Sequence, residues 1–158
     1  MNIVIANPQR ARKINARLLK EITEALLADL KIGEAELGIN LVAAREMTLI
    51  NETFLRHEGS TDVITFDYSM LEKRKAESRK QKHLHGEIFI CVDEAISQAK
   101  QFDATWQSEI VRYLIHGILH LLGHDDRHAA AHRKMKHEEN HLLRELSGKF
   151  SLAQITRP

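Results

Sequence analysis

Two histidines four residues apart, His116 and His120, lie within a strongly apolar stretch of the chain. Residues at positions i and i+4 share one face of a helix, so both imidazoles can reach a common point if this stretch is helical. An unpaired imidazole buried there would cost about 1–3 kcal/mol. The surrounding apolar residues are Ile110, Val111, Leu114, Ile115, Ile118, Leu119, Leu121 and Leu122. The pattern therefore predicts a central helix over about 105–122 that carries a polar site.

Gly123 and the polar residues after it supply what a metal site on this helix needs. Glycine tolerates positive φ, so the helix can end there and the chain can turn back. The turn would bring a third ligand from His124, Asp125 or Asp126. Two imidazoles and one further ligand, with one position open, are typical of catalytic zinc. We therefore expect one Zn²⁺ per chain, with Ni, Fe or Mn as alternatives for the same ligands.

The residue after the first histidine argues against one class of metal enzyme. Metalloproteases of the H-E-x-x-H type place their general base at this position. Gly117 stands there and has no side chain. Peptide hydrolysis by that mechanism is therefore disfavoured, and we expect Gly117 to let the helix pack closely on another element.

Length and composition predict one domain, residues 1–158, with a single core. The chain has 43% hydrophobic residues and one cysteine, Cys91. An internal disulfide is therefore impossible, and the apolar neighbours of Cys91 predict a buried core residue rather than a nucleophile. No run of 18 apolar residues and no signal-peptide pattern is present, so we expect a cytoplasmic protein without a membrane partner.

The net charge is only +1, but the cations are clustered. One cluster comprises Arg10, Arg12, Lys13, Arg17 and Lys20. The other comprises Lys73, Arg74, Lys75, Arg79, Lys80 and Lys82, without apolar periodicity. A basic loop can bind a phosphate backbone through counterion release. A solvated connector is the alternative, and composition alone favours it for the second cluster.

Hydrophobic periodicity predicts an α+β fold with about four strands. The expected strands are 2–6, 37–43, 61–68 and 85–92, with a basic connector over 70–82. The expected helices are 11–30, 47–55, 93–102 with Asp93 as its N-cap, 105–122, and 127–147 ending at Gly148. The last helix carries four more histidines and several charges, which predict a solvated face rather than a second metal site. These residues are His128, His132, Arg133, Lys134, Lys136, His137, Glu138, Glu139 and His141.

The region around the paired histidines resembles the YbeY family of bacterial metal-dependent endoribonucleases, whose signature is H-G-x-L-H-L-x-G-Y-D-H. The matching residues are His116, Gly117, Leu119, His120, Leu121, Gly123 and Asp125. The T-D-V-I-T-F segment at 61–66, and Gly86-Glu87-Ile88 with Asp93, resemble further family motifs. The resemblance covers about 2–146. It implies a zincin-like α+β fold with a mixed sheet and helices around a central metal-binding helix.

Two positions depart from the family pattern. His124 stands where the family has tyrosine, and Asp126 stands where it has its third metal histidine. Carboxylate oxygen is an accepted zinc ligand, so we expect Asp126 as third ligand, with His124 as the alternative. The family's functional arginine aligns with Leu55. We transfer that role to the adjacent Arg56 as a phosphate-contacting group, against the alternative of an ordinary surface arginine.

The resemblance implies an endoribonuclease in ribosomal RNA maturation, at the 3′ end of 16S rRNA, and in ribosome quality control. Its implied partners are ribosomal RNA, the small subunit and assembly proteins. The expected catalytic residues are His116, His120 and Arg56, while Asp125 and His124 are open candidates for a general base. The competing hypothesis is a non-catalytic RNA-binding assembly factor with a structural metal. An open coordination position would distinguish the two, because structural zinc usually has four protein ligands.

Overall fold

The computed structural model describes residues 1–69 and 82–158, and within them the chain forms one mixed sheet of four strands. These are β1 (Asn2–Ala6), β2 (Ile32–Val42), β3 (Val63–Asp67) and β4 (Lys82–Cys91). Their spatial order is β1-β2-β4-β3. The β1–β2 and β2–β4 pairs are parallel, and β3 runs antiparallel to β4. The predicted α+β class and four-stranded mixed sheet are confirmed.

Five α-helices accompany the sheet in the described part of the chain. They are α1 (Ala16–Asp29), α2 (Ala44–Phe54), α3 (Val92–Gln101), α4 (Trp106–Leu121) and α5 (Ala129–Lys149), followed by a short 3-10 helix (Leu152–Ile155). Side-chain caps define two starts: Asn15 accepts from the Leu18 amide for α1, and Thr105 accepts from the Ser108 amide for α4. None of the helices described is long and apolar enough to cross a lipid bilayer.

The main core lies between the sheet and α1, α4 and α5. Every second residue of β2 is buried, as expected for a strand with one face on a core. The core residues of β2 and β4 include Ala35, Leu37, Ile39, Leu41, Leu84, Ile88 and Ile90. A smaller cluster joins α2 to the sheet and contains Cys91, which is fully buried. Burial also raises the pKa of the Cys91 thiol, so the prediction of a core cysteine is confirmed.

Gly117 brings α4 against β4. A Cβ atom at this position would lie 2.9 Å from Cγ2 of Ile88, a fully buried strand residue. Real Cβ atoms do not approach other carbons so closely, so any side chain here would force the helix or the strand to shift. The expectation that Gly117 permits close packing is confirmed.

Several predicted boundaries were wrong. Helix α1 begins five residues later than expected, because residues 7–14 form a loop, and β2 begins five residues earlier. Helix α5 continues through Gly148, since Leu146 is buried in the core on the same turn. The predicted connector at 70–82 lies outside the described residues, apart from Lys82, which begins β4.

The predicted role of Asp93 as N-cap of α3 was also wrong. Helix α3 begins one residue earlier, at Val92, and Asp93 lies in its first turn. Its Oδ2 atom instead accepts the backbone N–H of Ala44 at 2.6 Å. Asp93 therefore caps α2, whose own preceding residue, Ala43, has no side-chain acceptor.

Candidate metal centre

The centre lies where α4 ends. Gly123 adopts a φ of +98°, and its amide bonds to the carbonyl of His120 at 3.0 Å. The His124 amide reaches back to the carbonyl of Leu119, also at 3.0 Å. This pair of bonds is the Schellman motif, which requires a residue of positive φ at the position of Gly123. The predicted turn is therefore confirmed, and it returns the chain toward the histidine face of α4.

His116 and His120 face each other on one side of α4. Their Nε2 atoms lie 2.9 Å apart, and their rings are nearly perpendicular. The Nδ1 atom of His116 is 3.1 Å from Oε2 of Glu139, and Nδ1 of His120 is 3.1 Å from the backbone oxygen of His124. Each ring is thus held at its outer nitrogen and directs its inner nitrogen toward the other ring.

The hydrogen-bond partners determine what the two inner nitrogens can do. A carboxylate and a carbonyl oxygen only accept hydrogen bonds, so both Nδ1 atoms carry protons. Both Nε2 lone pairs then point at the same space, which favours a positive charge between them. Two imidazole nitrogens on one tetrahedral zinc ion lie roughly 3.3 Å apart. The observed pair fits a bound divalent cation after a shift of a few tenths of an ångström.

Asp126 completes this group. One ligand atom each from His116, His120 and Asp126 lies within 4.8 Å of the other two. The neighbouring candidates serve the turn instead: His124 gives its backbone carbonyl to His120, and Asp125 binds Arg127 through both the backbone amide (2.9 Å) and the guanidinium (3.1 Å). These bonds lower the pKa of Asp125, which makes it a poor general base.

Glu139 corrects one prediction. We expected it on the solvated face of α5, but it is only 5% exposed. Its carboxylate reaches His116 from a different helix, as metal-bound histidines commonly contact a carboxylate. The four additional histidines of this region are exposed, as expected (His128, His132, His137 and His141).

The electrostatic field of the site favours cations. Burial lowers the pKa of His116, but the hydrogen bond and charge of Glu139, with Asp62 and Asp126, more than offset burial and leave the pKa raised. The pKa of His120 is lowered by burial and then by the charge of His116. Three carboxylates thus act on one histidine pair, a balance that a divalent ion would neutralise.

The structure does not bring Arg56 into this group. Arg56 follows α2 with a φ of 56° and lines a cavity with Glu52, His57, Glu58 and Gly59. Within residues 1–69 and 82–158, no hydrogen bond or ion pair joins it to the two histidines or Asp126. Arg112, which precedes His116 by one helical turn, bonds to Asn140 and pairs with Glu109.

Sequence reasoning missed Glu139 although a signal for it was present. The buried residues Met135, Glu139, Leu142 and Leu146 of α5 recur at intervals of four, three and four. An acidic residue on such an apolar stripe must find a buried partner, and the histidine helix offered one. The contribution of Asp62 was equally unassigned, although it belongs to the T-D-V segment noted above.

Replacing Glu139 by glutamine should weaken metal binding about 10- to 100-fold, the usual effect of losing a carboxylate behind a histidine ligand. Glutamine keeps the shape and one acceptor oxygen but removes the charge. The measurement is a metal titration against a competing chelator. Glu145→Gln is the matched control, because Glu145 is exposed on the same helix. Equal affinity in both variants would show that Glu139 does not support the site.

Comparison with known proteins gives a consistent result. A family model described as endoribonuclease YbeY matches residues 4–147. An endoribonuclease YbeY from Myxococcus xanthus is 37% identical over 130 residues, which are 82% of this chain and 43% of that longer protein. One from Syntrophotalea carbinolica is 31% identical over 150 residues, 94% of this chain and 97% of that protein. The chain thus spans less than half of the first relative and nearly all of the second.

A solved structure is also similar. The solution structure of a Thermotoga maritima protein superimposes with a TM-score of 0.66 and 25% sequence identity. The match covers 96% of this chain and 93% of that chain. The similarity therefore extends over the whole fold and is not confined to the histidine helix.

Proposed function

Because this chain belongs to the endoribonuclease YbeY family, we propose that it is a metal-dependent endoribonuclease that cleaves phosphodiester bonds in ribosomal RNA. The observation that carries this proposal is the convergence of the His116 and His120 Nε2 atoms, 2.9 Å apart, beside the Asp126 carboxylate. These three residues are the proposed ligands. Zinc suits two imidazoles and a carboxylate, and Ni, Fe or Mn are alternatives.

The chain's own residues would hold and orient this site. When bound, the ion supplies Lewis-acid polarisation of a phosphodiester and acidifies a water molecule. Glu139 and the His124 carbonyl fix the two imidazole rings before any metal enters. Arg56 is the proposed contact for the substrate phosphate, since its exposed guanidinium has no ion-pair partner among the described residues.

An open coordination position supports catalysis over a structural metal. The described residues gather three protein ligand atoms at this point, whereas structural zinc sites usually have four. The partly exposed histidines also leave room for substrate. This favours the enzyme over the alternative of an RNA-binding assembly factor held together by its metal.

We extend the proposal to the cellular role. The substrate would be precursor 16S ribosomal RNA near its 3′ end, with a further role in ribosome quality control. The partners would be the small ribosomal subunit and its assembly proteins, in the cytoplasm. The relatives named above are endoribonucleases, which supports the substrate class. Cleavage of the precursor with and without small subunits tests the partner.

The direct test compares two neighbouring residues of the turn. Asp126→Ala should lower metal affinity roughly 100-fold, on the order of one ligand's share of a zinc site, and should abolish cleavage of a labelled 16S fragment. His124→Ala should keep both, because its contribution to the site is a backbone carbonyl. Metal content after dialysis and RNA cleavage are measured on the same samples.

Three results would count against the proposal. Loss of metal in His124→Ala but not in Asp126→Ala would make His124 the third ligand. Cleavage that survives complete metal removal by chelator would refute metal dependence. Stoichiometric metal without cleavage, either alone or on small subunits, would favour the assembly factor.

A further inference from the structure

A basic cavity lies apart from the metal centre, between the loop at residues 7–14 and the C-terminal segment. Its volume is about 310 Å³. Four cationic residues line it: Arg10, Arg12, Lys13 and Arg157. The other lining residues are neutral, and none of the described residues around it is acidic. Most cations of the N-terminal basic cluster thus surround one cavity.

The walls of this cavity are held in place by hydrogen bonds. Gln9 is 7% exposed, and its side chain bonds to the Asn7 side chain and to both the amide and the carbonyl of Arg12. The Arg157 amide donates to the carbonyl of Lys13 at 2.9 Å. A ligand would therefore meet a preformed backbone and would order only flexible side chains.

The four cations lack acidic partners within the part of the chain that the structure describes. Arg12 instead lies over the Trp106 ring, 6.0 Å from its centroid, and donates to the Ala11 carbonyl. In contrast, Arg17 of the same basic cluster pairs with Glu21. Like charges gathered in one concavity repel one another and create a positive potential that an anion relieves.

The cavity and the metal centre lie at opposite ends of α4. Trp106, which contacts Arg12, is the first residue of this helix, and His120 lies in its last turn. With a rise of 1.5 Å per residue, these two residues are about 21 Å apart along the axis. An anion in the cavity therefore cannot touch the metal ligands, whereas an extended polyanion can span the distance.

We propose that this cavity binds phosphate groups of an RNA strand and forms a second RNA contact outside the metal centre. The inference rests on the proposed function, since it takes the same substrate class. Guanidinium groups bind phosphate oxygens in bidentate fashion, and the cavity presents three guanidinium groups and one ammonium group. A small phosphorylated molecule would use the same chemistry, so the test distinguishes the two sources.

The test compares two charge-reversal variants with the same net charge. Arg10→Glu with Lys13→Glu alters the cavity, and Arg17→Glu with Lys20→Glu alters exposed cations of α1 outside it. Binding of a labelled RNA of about 12 nucleotides is measured by anisotropy with chelator present, so that no cleavage occurs. We expect the cavity variant to bind at least about 10-fold more weakly. Its plot of log affinity against log salt should flatten by about 1.4, or about 0.7 for each RNA phosphate that the variant no longer neutralises.

The control variant should change affinity by less than about 3-fold, with thermal unfolding confirming that both variants fold. Equal weakening in both variants would overturn the proposal and leave only a general charge effect. Unchanged RNA affinity in the cavity variant would also overturn it. Pyrophosphate is titrated in parallel: micromolar binding that RNA does not displace would assign the cavity to a small phosphorylated ligand and overturn the RNA contact.

These outcomes are independent of the proposed function. A protein that cleaves RNA but binds it equally well in both variants keeps its function and has no second RNA site. A protein that never cleaves RNA, but binds it through the cavity, keeps the second site and lacks the proposed activity.

Discussion

Replacing His116 by alanine is expected to remove metal binding and RNA cleavage together. The substitution removes one of two facing Nε2 atoms and leaves two ligand atoms at the site. Structural zinc sites gain about 10–16 kcal/mol from four ligands, so one ligand accounts for roughly 3 kcal/mol, or more than 100-fold in affinity. Glu139 would also lose its buried partner, at a cost of about 1–3 kcal/mol in stability.

The measurement is metal content per chain and cleavage of a labelled 16S fragment for wild type and variant. His137→Ala is the matched control, because His137 is exposed on α5 and lies outside the group. Since loss of the Glu139 partner destabilises the fold, thermal unfolding without metal must show a folded variant at the assay temperature. RNA cleavage by metal-free His116→Ala protein would refute the assigned site.

Replacing Gly117 by glutamate is expected to destabilise the protein by more than about 3 kcal/mol and to create no peptidase. The substitution would produce the H-E-x-x-H spacing of metalloproteases. However, a Cβ here would lie 2.9 Å from Ile88 Cγ2, and overpacking of this kind costs about 1–3 kcal/mol. The carboxylate would enter the interface between α4 and β4, where an unpaired charge costs several kcal/mol more.

Urea unfolding measures this effect, and the chain offers a matched control. Gly148 is also helical, but a Cβ there meets no atom within 4 Å. Gly148→Glu should therefore stabilise the protein by up to about 1 kcal/mol through helix propensity. Combining Gly117→Ala with Ile88→Ala should cost less than the sum of the single changes, because the shortened strand residue makes room. A Gly117→Glu protein as stable as wild type would show that α4 and β4 do not pack as described.

Features encoded by nearby residues could be predicted from the sequence. The spacing of His116 and His120, the apolar residues around them and Gly123 sufficed for a buried helix, its turn and the two converging imidazoles. Each depends on local geometry: the helical repeat in one case and positive φ in the other. The carboxylate of Asp126 follows within the same turn, so it too was within reach.

Features that depend on distant residues could not be placed in this way. Glu139 contacts His116 across two helices, and Asp93 caps a helix that begins 49 residues earlier. Local spacing contains no information on such pairs, which exist only once the sheet and helices have packed. The same reason explains why the N-terminal cations looked like an ordinary charged segment before Arg157 joined them at one cavity.

The turn that ends α4 has a consequence for the entropy of assembling the metal centre. All three candidate ligands belong to the segment 116–126, so closing this short loop restricts few conformations beyond those already restricted by the helix. Burial of α4 in the core orders that helix whether or not an ion is bound. In a zinc finger, by contrast, the metal itself drives folding. Here the core would hold the donors ready, and metal could enter and leave a chain that stays folded.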